Sequence, residues 1–400
     1  MFADIIKVVR PYYPGSISFR PAAWAWLPAA GLLAGCLGHA PGDRAPAGAK
    51  ETAMEKIADP AADPDPDGNP LAGNAKAFGI YQWNKDSTYQ AGLQGEIDAL
   101  GISPTYAMYF VDRDMGFPKD IVAYNSRRGI KSVLSQELVR YADHGDTHTL
   151  DSILAGRWDG YFRHFAKDAR AAGDIIYYRF GYEMNGDWQA WGEQPDKFTK
   201  AWRRAWKIFR EEKADNVRWV FSANVVWGDR TVKKDLLPYY PGDKYVDVVG
   251  LDGYNFGDNH SRYHRWKSYA DVFRTSLDAL KTHFPDKALW ITEIGCAEGP
   301  GKAEWIQDFF AHFNADPAIR VFVWFNEDKQ YAGEPNWRFD SDKDSAERFR
   351  NWAIYNNSIT MFSLPSVGQV ASAELSRTAD ASPLNPGDSP AAGRSPSSPD

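Results

Sequence analysis

The chain has 400 residues and a formal net charge of −7, from 46 Lys and Arg against 53 Asp and Glu. An acidic balance argues against nucleic acid as the main partner, because phosphate binding needs clustered basic side chains; two cysteines exclude a disulfide scaffold and a Cys-rich zinc site. The aromatic content of 16 Trp, 20 Tyr and 22 Phe can fill a large core, and it can also offer flat apolar faces with polar edges to sugar rings.

Residues 1–36 read as an address rather than as fold. Lys7, Arg10 and Arg20 precede an apolar, Ala- and Trp-rich run at 21–33, followed by Ala34, Gly35 and Cys36. Small residues before a cysteine, behind an apolar run, resemble a bacterial lipoprotein signal, which implies cleavage before Cys36 and lipidation of its thiol; a plain secretory signal that happens to contain a Cys is the alternative. Lipid chains tether a protein to a membrane surface without spanning it, and no internal apolar stretch is long enough to span one. The resemblance implies the bacterial cell envelope. Leu37 after the lipidated Cys, where an Asp would retain the protein at the inner membrane, points to an outer-membrane lipoprotein, periplasmic or surface-facing; secretion is the other outcome. Residues 37–74, rich in Ala, Pro, Asp and Gly, predict a disordered tether, and residues 357–400, rich in Pro, Ser and Ala, a disordered tail.

The block between them, 75–356, has no composition break and the size of a single barrel. Eight short apolar or β-branched runs predict strands at 78–83, 105–111, 130–135, 175–180, 218–223, 246–251, 289–292 and 321–325. Between most of them lie apolar stripes of helical period: Phe198, Trp202, Ala205 and Phe209; Val272, Ser276, Leu277 and Leu280; Trp305, Phe309, Phe310 and Phe313. Alternating strand and helix predicts a parallel sheet, eight units predict closure, and no Gly-rich phosphate loop follows any strand. The expected fold is α/β, a (β/α)8 TIM barrel, with its site at the C-terminal ends of the strands.

Two carboxylates follow apolar strands there: Glu183 after the fourth, in Gly181-Tyr182-Glu183-Met184-Asn185-Gly186, and Glu293 after the seventh, in Ile291-Thr292-Glu293-Ile294-Gly295. A single strand-end Glu is more often a structural partner of an Arg. Two that face each other across a barrel mouth suit glycosidic cleavage, in which one must be protonated to give its proton to the leaving oxygen and the other ionised to attack or stabilise the anomeric carbon.

The surrounding residues carry a resemblance. Tyr178-Arg179-Phe180 leading into Glu183-Met184-Asn185-Gly186-Asp187-Trp188 and Trp191-Gly192 looks like the acid/base motif of glycoside hydrolase family 26. Trp219 to Asn224, Gly250-Leu251-Asp252-Gly253-Tyr254-Asn255, Ile291 to Gly295 and Trp324-Phe325-Asn326 resemble that family's fifth to eighth strands, in the right order. The resemblance implies a (β/α)8 barrel and a retaining double displacement, with Glu183 as acid/base and Glu293 as nucleophile, their carboxyl groups about 5–5.5 Å apart. It implies that Tyr254 hydrogen-bonds Glu293 and that Trp324 forms the floor under the sugar at the cleavage point. Trp188 and Trp191 would stack on sugars or shape the acid's pocket. Asn185, Arg179, Asn224, Trp83 and Glu137 complete the expected substrate-binding set. In the family's mannan-cleaving members the residue before the acid/base is usually His; here it is Tyr182, which also has a hydroxyl but lacks a cationic form.

The expected function is an endo-β-1,4-mannanase-like hydrolase with a polysaccharide as its partner, no cofactor and no metal, acting as a monomer. A β-glucanase, a β-xylanase or an exopolysaccharide-degrading enzyme on the same barrel stays open, as does a carbohydrate-binding lipoprotein without catalysis. His144 and His148, four apart, fall in a sequence with Gly145 between them that reads as a loop rather than a metal-binding helix, and Cys296 reads as a buried, inert thiol.

Overall fold

The computed structural model describes residues 76–83, 86–139, 148–226, 235–258 and 265–363, with side chains to 356. The signal segment with Cys36, the tether, His144 and the tail beyond 363 lie outside the described residues. By their contacts, residues divide into Met1–Ile354 and Tyr355–Asp400, and the whole barrel belongs to the first.

Eight strands form a closed parallel barrel in sequence order: β1 (Ala77–Gln82), β2 (Tyr106–Val111), β3 (Lys131–Gln136), β4 (Ile176–Phe180), β5 (Val217–Asn224), β6 (Val248–Asn255), β7 (Ala288–Cys296) and β8 (Ile319–Asn326). The ring shuts where β1 pairs β8, from Ala77 opposite Val321 to Gln82 opposite Asn326. Around it run α1 (Tyr89–Leu100), α2 (Lys119–Ser126), α3 (Thr149–Leu154), α4 (Asp159–Ala172), α5 (Pro195–Glu211), α6 (Tyr269–His283), α7 (Lys302–Ala315) and α8 (Lys343–Ser363). Between β5 and β6 the described residues hold only two 3-10 turns, Leu237–Tyr239 and Asp243–Tyr245.

The helices form where the stripes place them. Phe198, Trp202, Ala205 and Phe209 of α5 are all fully buried, and the α5 indole Trp202 packs on Phe180 and Trp219. Phe309, Phe310 and Phe313 of α7 lie against Phe322 of β8. A capping box starts α6: the Ser268 hydroxyl accepts from the Asp271 amide while the Asp271 carboxylate accepts from the Ser268 amide.

Strand alternation sorts side chains between helices and lumen. On the inside, Tyr106, Tyr177 and Trp290 meet across the barrel, with ring centroids 4.8–5.3 Å apart, and plug its lower end. Two residues further along the same strands stand Met108, Arg179 and Thr292, the start of a polar layer. β6 and β7 run past the apolar stretches that announced them, to Asn255 and Cys296, so Glu293 lies inside β7, opposite Asp252, and not beyond its end. The apolar criterion stopped short because these lumen-facing residues are polar and satisfied by one another. The register of β6 on β7 shifts between Leu251 and Asp252, at the entrance to this polar layer.

Candidate active site

Glu183 sits just past β4 on a backbone folded tightly to hold it. Gly181 has a φ of +55°, and a Cβ there would meet Leu138 at 2.7 Å and Phe198 at 2.9 Å, so only glycine fits. Glu183 itself has a φ of 51°, in the left-handed region that costs a non-glycine residue about 1–3 kcal/mol. Its amide donates to the Ser222 carbonyl at 2.8 Å and its carbonyl accepts from Gly186 at 2.9 Å, which fixes the turn. The carboxylate accepts from Asn224 Nδ2 at 2.7 Å and from Trp188 Nε1 at 2.6 Å. Burial, reinforced by the negative charge of Glu293, pushes its pKa up from 4.5 to about 7, against the opposing pull of those two donors and of Arg179.

Glu293 is held differently. One of its oxygens accepts from Arg179 Nη1, and the other from the Tyr254 hydroxyl. Arg179 is fully buried and its other arm donates to Asp252. Asp252 also accepts from Ser222 Oγ at 2.9 Å and Thr292 Oγ1 at 2.7 Å. A guanidinium thus stands between two carboxylates in a dry layer, with charge-assisted hydrogen bonds to each. Tyr254 is pressed into place by Gly295, where a Cβ would lie 2.9 Å from its ring, and by Trp337, whose ring centroid is 4.7 Å away.

The mouth therefore gathers Glu183, Glu293, Tyr254, Asn224 and the half-buried Trp188 at one centre. Tyr182 is next to it: its ring lies 4.6 Å from the Arg179 guanidinium carbon and its hydroxyl donates to Glu137 Oε1 at 3.1 Å. Trp83 follows the last residue of β1 and is partly exposed.

Five expected substrate ligands take other positions. Trp324 is fully buried on the outside of β8, among Trp305, Phe309 and Phe349, and donates to the Trp337 carbonyl at 3.0 Å; alternation puts it with Phe322 on the helix-facing side and turns Phe325 into the mouth. It cannot be a floor for a sugar. Arg179 has no exposed surface and is spent on Glu293 and Asp252. Asn185 fastens the loop to β5, donating to the Asn224 carbonyl at 2.8 Å and accepting from the Asn224 amide at 2.9 Å. Trp191 is 1% exposed, edge-on to Tyr182 and bonded to its carbonyl, so it shapes the pocket wall rather than stacking on a ligand. Glu137, 1% exposed, faces Tyr182.

The sequence reading gave no role to Asp252, Ser222 or Thr292. Asp252 and Tyr254 share one face of β6, and a charged residue two before an aromatic in a strand buried on both sides was the available signal. Cys296 is buried, with its thiol pushed up to about 12 by burial, and His148 stands at the start of α3. Among the described residues no group of three or more His, Cys, Asp and Glu could hold a metal.

Residues 160–299 match the profile of glycosyl hydrolase family 26. Endoglucanase H of Acetivibrio thermocellus is 34% identical over 213 residues, 51% of this chain and 23% of that protein. The mannan endo-1,4-beta-mannosidase A and B of Caldalkalibacillus mannanilyticus is 34% identical over 99 residues, 22% of this chain and 18% of that protein. The chain thus spans about a quarter or less of these curated relatives' length. The solved structure of a family 26 β-mannanase from Bacteroides ovatus superposes with a TM-score of 0.52 at 19% identity, over 71% of this chain and 89% of that one, a likeness of fold. The closed eight-stranded barrel and a profile match spanning α4 to β7 make this part of the chain similar to glycosyl hydrolase family 26.

Proposed function

We propose that the chain is a retaining endo-glycanase that cleaves a β-linked polysaccharide by double displacement. The observation that carries this is the unequal setting of two facing carboxylates: Glu183 held up to about 7 by burial and the charge opposite, Glu293 bonded to a guanidinium and a phenol. Glu183, protonated, gives its proton to the leaving glycosidic oxygen as Glu293 attacks the anomeric carbon and forms a glycosyl ester. Water then attacks that carbon, Glu183 takes its proton, and the Glu293 carboxylate leaves. Arg179 and Tyr254 aim the nucleophile, and Trp188 and Asn224 aim the acid. No step calls for a cofactor.

β-1,4-Mannan is the first substrate, in keeping with the mannosidase named among the relatives. β-Glucan is the second reading, favoured by the longer match to an endoglucanase and by Tyr182 where mannan-cleaving members usually carry His. The test is hydrolysis of β-mannan, glucomannan, mixed-linkage β-glucan, cellulose and β-xylan, with NMR of the first anomer released. β-Anomer first and loss of turnover without loss of binding in Glu293→Ala support the reading. Inversion, or full turnover in Glu293→Ala, overturns it. Binding without hydrolysis makes the barrel a carbohydrate-binding module. The localisation that accompanies the reading is the cell envelope, through a lipid on Cys36 and the tether that follows it.

A further inference from the structure

At the end of β8, opposite β4 in the ring and so opposite Trp188, the chain builds a second aromatic surface. Tyr331 is 48% exposed, one of four large apolar side chains left in solvent among the described residues. It belongs to a single 3-10 turn, Gln330–Ala332, closed by Gly333 at a φ of +77°. Its ring meets Trp83, just past β1, with centroids 5.8 Å apart and planes at 47°. A free Tyr on a surface turn would move; this one is pinned. Its hydroxyl donates to Glu327 Oε1 at 2.6 Å, and Glu327 is fully buried at the exit of β8. Behind it Lys329 closes the loop on Glu334 at 2.7 Å, 5.5 Å above the Phe325 ring.

Packed rings link this surface to the reaction centre. The Phe325 ring packs against Tyr81 of β1 and Tyr254, with centroids 4.5 and 5.9 Å apart, and Tyr254 bonds Glu293. Beside Trp83 a cavity opens at the ends of β1 and β2 against the start of α1, lined by Gln82, Tyr89 and Tyr109 among others. Two rigid, part-exposed aromatic rings beside a polar-edged cavity match a pyranose ring, whose C–H face stacks and whose equatorial hydroxyls hydrogen-bond at the rim.

We infer that Trp83 and Tyr331 form a sugar-binding platform remote from the scissile bond, so that the substrate chain lies across the mouth from Trp188 on the β4 side to the β8–β1 corner. The inference rests on the proposed hydrolase reading and adds to it a requirement for several linked sugars. Glu327 acts as a positioning residue, through the Tyr331 hydroxyl.

The experiment compares the full chain with Tyr331→Ala, Trp83→Ala and Tyr331→Trp on β-1,4-manno- and mixed-linkage gluco-oligosaccharides of three to six units, by kcat/KM and by calorimetric binding. Circular dichroism melts check folding. The two alanine variants are expected to lose about tenfold more on hexasaccharide than on trisaccharide, as lost stacking predicts, with Tyr331→Trp restoring most of the difference. Equal losses at every length overturn the platform and leave the hydrolase reading standing. A parent chain that binds hexasaccharide but cleaves nothing, with binding weakened in Tyr331→Ala, keeps the platform and overturns the hydrolase. A parent that neither binds nor cleaves any of them overturns both.

Discussion

Glu183 and Glu293 are the same residue type with opposite proposed tasks, and only their neighbours distinguish them. The proposed acid predicts that Glu183→Ala loses about 10²–10⁴ in kcat on polysaccharide but far less on an aryl glycoside whose leaving group needs no proton. Comparison of the two substrates checks this. Because burial and the Glu293 charge raise Glu183 from 4.5 to about 7, kcat/KM is expected to fall above about pH 7, and a pH profile reads that limb directly. The same shift has a stability consequence. A raised carboxyl binds its proton more tightly in the native state, so its contribution is present below about pH 4.5 and is lost as pH rises through about 7. The melting temperature of the wild type relative to Glu183→Gln should therefore drop between pH 5 and pH 8. Arg179 sits between two carboxylates, and Arg179→Met leaves both unbalanced in a dry layer. The expected cost is about 3–5 kcal/mol in urea unfolding.

At the scale of strands and helices, the sequence disclosed period more readily than facing. The α5, α6 and α7 stripes and the barrel strands could be read because apolar residues recur at 3.6 or in short runs, as with Phe198, Trp202, Ala205 and Phe209. What could not be read was which parity of β8 enters the mouth: Trp324 and Phe325 are both large and aromatic, and only the packing of Trp324 on α7 and α8 residues separates them. The polar layer hid for a related reason. Ser222, Asp252 and Thr292 stand on three different strands, and their pairing exists only once the barrel has closed. Glu183 and Glu293 were legible as candidates because each follows an apolar run; Glu327 follows one too, but its carboxylate bonds Tyr331. A prediction belongs here. Gly295 gives Tyr254 its space, so Gly295→Ala should push the phenol off Glu293 and lower kcat while leaving KM within about twofold, with a melting temperature close to wild type. A loss confined to KM would show that Tyr254 serves binding alone.

For the molecule as a whole, the closed ring joins β7, which carries Glu293, to β4, which leads into Glu183, through continuous strand pairing. Their spacing is then set by the barrel together with the turn that holds Glu183, whose amide is bonded to the Ser222 carbonyl of β5. The proposed envelope tether separates cleanly from this: Cys36→Ser should move the protein from the membrane fraction to the soluble fraction on cell fractionation and leave kcat/KM on soluble polysaccharide unchanged. Persistence in the membrane fraction would count against lipidation at that thiol.

The charge of Glu293 stands second only to burial among the causes that lift Glu183. In the proposed reaction that charge is consumed when Glu293 becomes an ester, midway through each turnover. The electric field on Glu183 then relaxes at the moment it has given up its proton, so its affinity for a proton falls while it waits to receive one from water. The switch from donor to acceptor is timed by the chemical bond itself, in a scaffold that need not move. Glu293→Gln freezes the neutral half of this cycle, and NMR titration of Glu183 in that variant should show an apparent pKa below about 7.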